Sequence, residues 1–146
     1  MRILGFAFLI FSLGLGVAPV AAVEVSDPQA TRPRKARIAI KPPLLRGPCK
    51  APPIRKQIEG RRAALLDCYE AALPKHPALR GSWIGTWMIN LQGRVVHLNS
   101  RGSLKSRQVR SCVDNVIGRI RFSAPKGATC AVRLPIRFWR PGPRKL

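Results

Sequence analysis

Residues 81–99 read GSWIGTWMINLQGRVVHLN, and the fold turns on how this stretch is read. Trp83, Gly85, Trp87, Ile89 and Leu91 recur at every second position, which places them on one face of a β-strand. Asn90 to Arg94, with Gly93, supplies a turn. Arg94 to Asn99 then returns as a second strand, so the stretch predicts a hairpin. The two tryptophans share the face that should be buried, and core packing is the role expected of them.

On either side of the hairpin the period changes from two to 3.6. Downstream, Val109, Cys112, Val113, Val116, Ile117 and Ile120 fall on one helical stripe, with Ser103 or Ser106 available as the N-cap. Arg107, Arg110, Arg119 and Arg121 occupy the opposite face. Upstream, Ile54, Ile58, Leu65, Cys68, Tyr69 and Ala72 also recur at helical spacing. That helix is expected to begin near Pro53 and to end before Pro74 and Pro77. After the loop SAPKGA, the segment TCAVRLPIRFW (129–139) alternates again. Cys130, Val132, Leu134, Ile136 and Phe138 form the apolar phase, and Arg133, Pro135 and Arg137 the other. A proline lacks the N–H that a central strand needs, so this strand is expected at an edge.

The order helix, hairpin, helix, strand predicts an α+β domain over residues 54–140: a three-stranded antiparallel sheet with both helices on one face. In that packing Cys68 and Cys112 meet between the helices, and Cys49 can reach Cys130. The sequence leaves the other two pairings open.

The 146 residues carry 27 Lys+Arg against 6 Asp+Glu, a formal net charge of +21. Such a charge favours anionic partners. The first 22 residues, MRILGFAFLIFSLGLGVAPVAA, combine a short basic start, an apolar run and small residues at Val20-Ala21-Ala22. They read as a secretory signal cut after Ala22; an uncleaved inner-membrane anchor is the alternative. All four cysteines lie beyond it, which suits two disulfides in an oxidising compartment. A periplasmic or secreted, cell-envelope location follows, and nucleic acid is not expected as a partner unless the chain stays inside. The exported protein is therefore expected to have an intact mass that begins at Val23 and shows four oxidised cysteines. A mass retaining residues 1–22, or four free thiols, contradicts this.

Residues 23–53 mix prolines with basic residues and are expected to be an extended, solvated linker. Residues 141–146 form a basic tail. Four carboxylates follow the linker: Glu59, Asp67, Glu70 and Asp114. Asp67 and Glu70, three apart on a helix, suggest pairing with Arg61, Arg62 or Lys75 rather than acid–base chemistry. His76 and His97 flank no cysteine, and no pair of cysteines has metal-binding spacing. No catalytic residue, cofactor or metal is expected, and the chain is expected to be no enzyme.

Cys68-Tyr69-Glu70, HPALRGSWIGTWMINLQGRVV, SLKSRQVRSCVDNVIGRIRF and VRLPIRF together resemble the TonB C-terminal-like domain of AgmX/PglI-type gliding-motility proteins. The resemblance covers roughly residues 60–139. It implies an αββαβ fold in the cell envelope. The energy-coupling role of TonB itself does not carry over, because the apolar segment has no histidine and a thirty-residue spacer reaches only about 90 Å. The final strand is the expected contact with an envelope protein or peptide, by strand addition involving Arg133, Pro135, Arg137, Trp139 and Arg140. Binding of an anionic polymer, such as lipopolysaccharide or an acidic glycan, or of a membrane surface is the alternative.

Overall fold

The computed structural model describes residues 35–142. The expected signal segment, its cleavage site, the first part of the linker and residues 143–146 lie outside the described residues. Within them the chain is α+β. Five strands form one antiparallel sheet: β1 (Arg37–Ile40), β2 (Leu44–Arg46), β3 (Gly81–Ile89), β4 (Val95–Arg101) and β5 (Cys130–Trp139). The helices are α1 (Ala51–Glu59), α2 (Arg62–Glu70) and α3 (Arg107–Gly118). From one edge to the other the order is β1 and β2 together, then β5, β3 and β4. No helix among the described residues is long and apolar enough to cross a membrane.

The hairpin forms where its alternation places it. Trp83, Trp87 and Ile89 are buried, whereas Leu91 lies in the turn and is exposed. Gly93 adopts φ +73°, and a Cβ there would lie 2.1 Å from the Phe122 carbonyl oxygen. That oxygen's residue donates its own N–H back to the Gly93 carbonyl at 2.9 Å. The turn therefore needs glycine both for its backbone angle and for this close approach. Thr86 and Met88 pair across a register shift in β4, where His97 takes φ +53° as the residue of a bulge.

The core lies between the sheet and the helices. Val109, Val113 and Ile117 of α3 are fully buried, as are Leu134, Ile136 and Phe138 of β5. Ser106 caps α3, its hydroxyl accepting from the Val109 N–H. Trp83 Nε1 donates to Asp114 Oδ1 at 2.9 Å, and the Ser100 hydroxyl donates to Oδ2 at 2.9 Å. One α3 carboxylate thus binds β3 and β4 to the helix layer. Losing it would strand a buried indole N–H, at a cost of about 1–3 kcal/mol. Trp87 stacks on Phe122, with ring centroids 6.4 Å apart, and its Nε1 has no partner among the described residues.

Both disulfides join the pairs that the packing suggested. Cys68 of α2 bonds Cys112 of α3, and Cys49 bonds Cys130 at the start of β5. The first ties helix to helix, and the second ties the segment before α1 to the sheet. No free cysteine is present among the described residues.

Three expectations are corrected. The upstream helix is two helices, broken at Gly60 and Arg61, where Arg61 leaves helical geometry (φ −101°, ψ 6°). Glycine is a poor helix former, and the arginines that follow it add no apolar anchor. The sheet has five strands instead of three, because residues 37–46 are not a solvated linker. Ile38 is buried, and the Arg62 guanidinium donates to its carbonyl at 3.0 Å. Finally, β5 is an interior strand, flanked by β3 on one side and by β1 and β2 on the other.

Pro135 is compatible with that interior position for a local reason. Its carbonyl accepts from the Lys41 N–H at 3.0 Å. A strand residue directs its N and its carbonyl to the same side. The missing proline donor therefore faces the gap between β1 and β2, where Pro42 and Pro43 interrupt the ladder. The break in the neighbour and the proline in β5 coincide.

Candidate functional site

The helices cover one side of the sheet, and the other side faces solvent. Alternation along β5 sends Ala131, Arg133, Pro135, Arg137 and Trp139 to the uncovered side, while Cys130, Val132, Leu134, Ile136 and Phe138 are buried. Arg133 and Arg137 are exposed; Pro135 and Trp139 are half-buried. The structure therefore brings four of the five residues expected to contact a partner onto one surface.

Directly opposed residues of antiparallel strands share a face. Arg133 sits between Thr86 of β3 and Leu44 of β2. Ala131 sits between Met88 and Arg46, and Arg137 between Ser82 and Ala39. Arg37 lies beside Trp139, and Arg101 of β4 lies opposite Ile84. The uncovered side thus carries Arg37, Arg46, Arg101, Arg133 and Arg137, set around a strip of half-buried Ile84, Met88, Ala131 and Pro135.

Among the described residues no acid interrupts this surface. All four carboxylate side chains among the described residues, Glu59, Asp67, Glu70 and Asp114, lie on the helices. Glu59 pairs with Arg62 at 2.8 Å, and Asp114 is engaged by Trp83 and Ser100. The open face therefore carries charge of a single sign among the described residues, whereas the helix side carries both signs.

Arg140 belongs elsewhere. It follows β5, is half-buried, and its charge acts on Tyr69 of α2. Burial raises the Tyr69 hydroxyl above its ordinary pKa, and the Arg140 charge opposes that shift. The Tyr69 hydroxyl donates to the Leu79 carbonyl, and its ring lies 5.4 Å from that of Phe138. Position 140 continues the buried phase of β5 after Phe138, so Arg140 falls on the helix side and does not join Arg133 and Arg137.

At one end of the open face lies a groove of about 670 Å³, lined by Leu44, Arg46, Thr86, Met88, His97 and Arg133 among others. Leu44, at 63% exposure, is one of two large apolar side chains among the described residues that stand out into solvent. Leu44, Arg46 and His97 were not read as site residues from the sequence. The signal for the first two was present: Arg37-Ile38-Ala39-Ile40 alternates like a strand, and Gly47 (φ +106°) marks a turn before Cys49. His97 becomes part of the groove only through the bulge.

Neither sheet edge offers a clean ladder for another strand. The outer edge is broken at Lys41-Pro42-Pro43, and β4 carries the bulge at His97. Prolines, bulges and charges of this kind obstruct edge-to-edge pairing.

Among the described residues, no group of three or more His, Cys, Asp or Glu could hold a metal ion. Comparison with protein families, with curated proteins and with solved structures finds no match to any of them.

Proposed function

We propose that this chain is an exported, non-enzymatic interaction module of the cell envelope that binds an acidic protein partner through the open face of its sheet. The observation that carries the reading is the separation of charge: five arginines on the uncovered face and every described carboxylate on the helices. Arginine forks match carboxylates in two-point hydrogen bonds, so such a surface selects acidic chains. Two disulfides support export, since they persist in oxidising compartments. The order helix, strand, strand, helix, strand from Arg62 to Trp139 supports kinship with TonB C-terminal-like domains, with β1 and β2 as additions. The interior position of β5 moves the proposed contact from that strand's edge to its face.

The test replaces Arg46, Arg133 and Arg137 together with serine and measures retention on native envelope material. Each surface contact contributes about 0.2–1 kcal/mol, so three lower retention by about 3- to 100-fold at low salt. Serine at Arg107, exposed on α3, and at Arg119, exposed just past its end, should leave retention unchanged. Unchanged retention in the triple variant removes the sheet face from the account.

Those two arginines favour a second reading, a polyanion binder such as lipopolysaccharide or acidic glycan, because they place positive charge on the helix side as well. That reading requires equal losses from the sheet and helix variants, and complete loss at high salt.

A further inference from the structure

Resting on that reading, we infer that the groove between β2 and β4 seats a single apolar side chain of an extended acidic peptide segment, whose flanking carboxylates meet Arg46 and Arg133. Four strands, β2, β5, β3 and β4, cross this end of the sheet. At the usual strand spacing they span about 14 Å, room enough for one extended chain to lie across them. The groove combines a half-buried floor, Thr86, Met88 and Ala131, with exposed Leu44, Arg46 and Arg133. Its volume of about 670 Å³ lies within the range of small-ligand clefts, room for an apolar side chain together with the backbone beside it. An apolar floor with two cations beside it fits an apolar group bearing carboxylates nearby, and fits neither alone as well.

Charge and shape select this occupant over others. A second copy would bring one arginine-rich, acid-free face against another, and like charges repel. A bilayer surface calls for apolar groups that protrude, but Met88 and Ala131 are recessed and Leu44 alone stands out. An extended chain reaches recessed groups with one side chain. Residues two positions away on either side point to the same face, and so towards the arginines.

The test uses two fluorescein-labelled peptides, Glu-Glu-Phe-Glu-Glu and Glu-Glu-Ser-Glu-Glu, and phosphatidylglycerol vesicles, against the mature disulfide-bonded chain. The phenylalanine peptide is expected to bind at least tenfold more tightly than the serine peptide. Met88→Lys, which fills the floor with a cation, should abolish that preference. Serine at both Arg46 and Arg133 should weaken both peptides. Equal affinity for the two peptides, with the arginine dependence intact, overturns the groove and leaves the open face as the binding surface. Peptide binding that ignores the arginines overturns both. Binding to the vesicles alone, with loss on substituting Arg46 and Arg133, assigns the face to lipid and also overturns the inference.

Discussion

Gly85→Ala is expected to destabilise the domain by about 3 kcal/mol, the upper part of the usual range for overpacking a core. A Cβ at Gly85 would lie 2.1 Å from Trp83 Cη2, and two further ring atoms stand within 2.8 Å. The ring has little freedom to move away. Trp83 is fully buried, and its Nε1 is held by Asp114. Relief therefore demands either a shift of β3 against α3 or the loss of that hydrogen bond. For a domain of this size the melting temperature should fall by roughly 10–20 °C. In a Trp83→Phe background the Gly85→Ala penalty should shrink, because the smaller ring vacates the space beside residue 85, although Trp83→Phe alone gives up the Asp114 hydrogen bond. A cycle of the four proteins measures that coupling. A melting temperature within a degree or two of the parent for Gly85→Ala would mean that the ring does not rest over Gly85.

Serine at both Cys68 and Cys112 is expected to lower stability by about 2–4 kcal/mol. The bond closes a chain separation of 44 residues and joins α2 to α3, two of the three helices. Its removal frees the unfolded chain and takes a covalent link out of the helix layer. His97→Ala provides the contrast. His97 is exposed, and although it lies at a bulge, its side chain meets the surface groove and not the core. A change within about 0.5 kcal/mol is expected. Thermal melts of the oxidised proteins decide the matter. Equal losses in the two variants would show that the disulfide adds nothing beyond what a surface histidine does.

Burial patterns were legible in the sequence wherever one face is covered and the other is not. The alternation of Trp83, Trp87 and Ile89, the α3 stripe and the apolar phase of β5 all reflect a one-sided sheet packed under helices. The same alternation gathered Arg133, Pro135, Arg137 and Trp139 on one face before any strand neighbour was known. The position of β5 was not legible. Pro135 indicated an edge by a rule that concerns one hydrogen bond, and the exception depends on where a partner strand is interrupted. That partner, β1 with β2, was hidden by its composition. Seven residues of short strand stand among prolines and cations that would suit a solvated spacer, and their pairing is long-range, with Arg37 opposite Trp139. Local propensity carries no record of such contacts. Arg140 was misgrouped against the alternation itself, which puts position 140 in the phase of Phe138 on the covered side and not with Arg133 and Arg137.

Site-specific photocrosslinking in intact envelopes, from two positions of the full chain, distinguishes the sheet face from the helix face as the surface that meets the partner. Thr86 lies on the open face between Arg133 and Asn99, and Gln108 is exposed on α3. With a photoreactive residue at 86, the account predicts a discrete protein adduct that disappears when Arg46, Arg133 and Arg137 are replaced by serine. The same residue at 108 should give no such adduct. An adduct formed from position 108 and not from 86, or one from 86 that survives loss of the three arginines, would contradict the assignment of partner binding to the cationic face of the sheet.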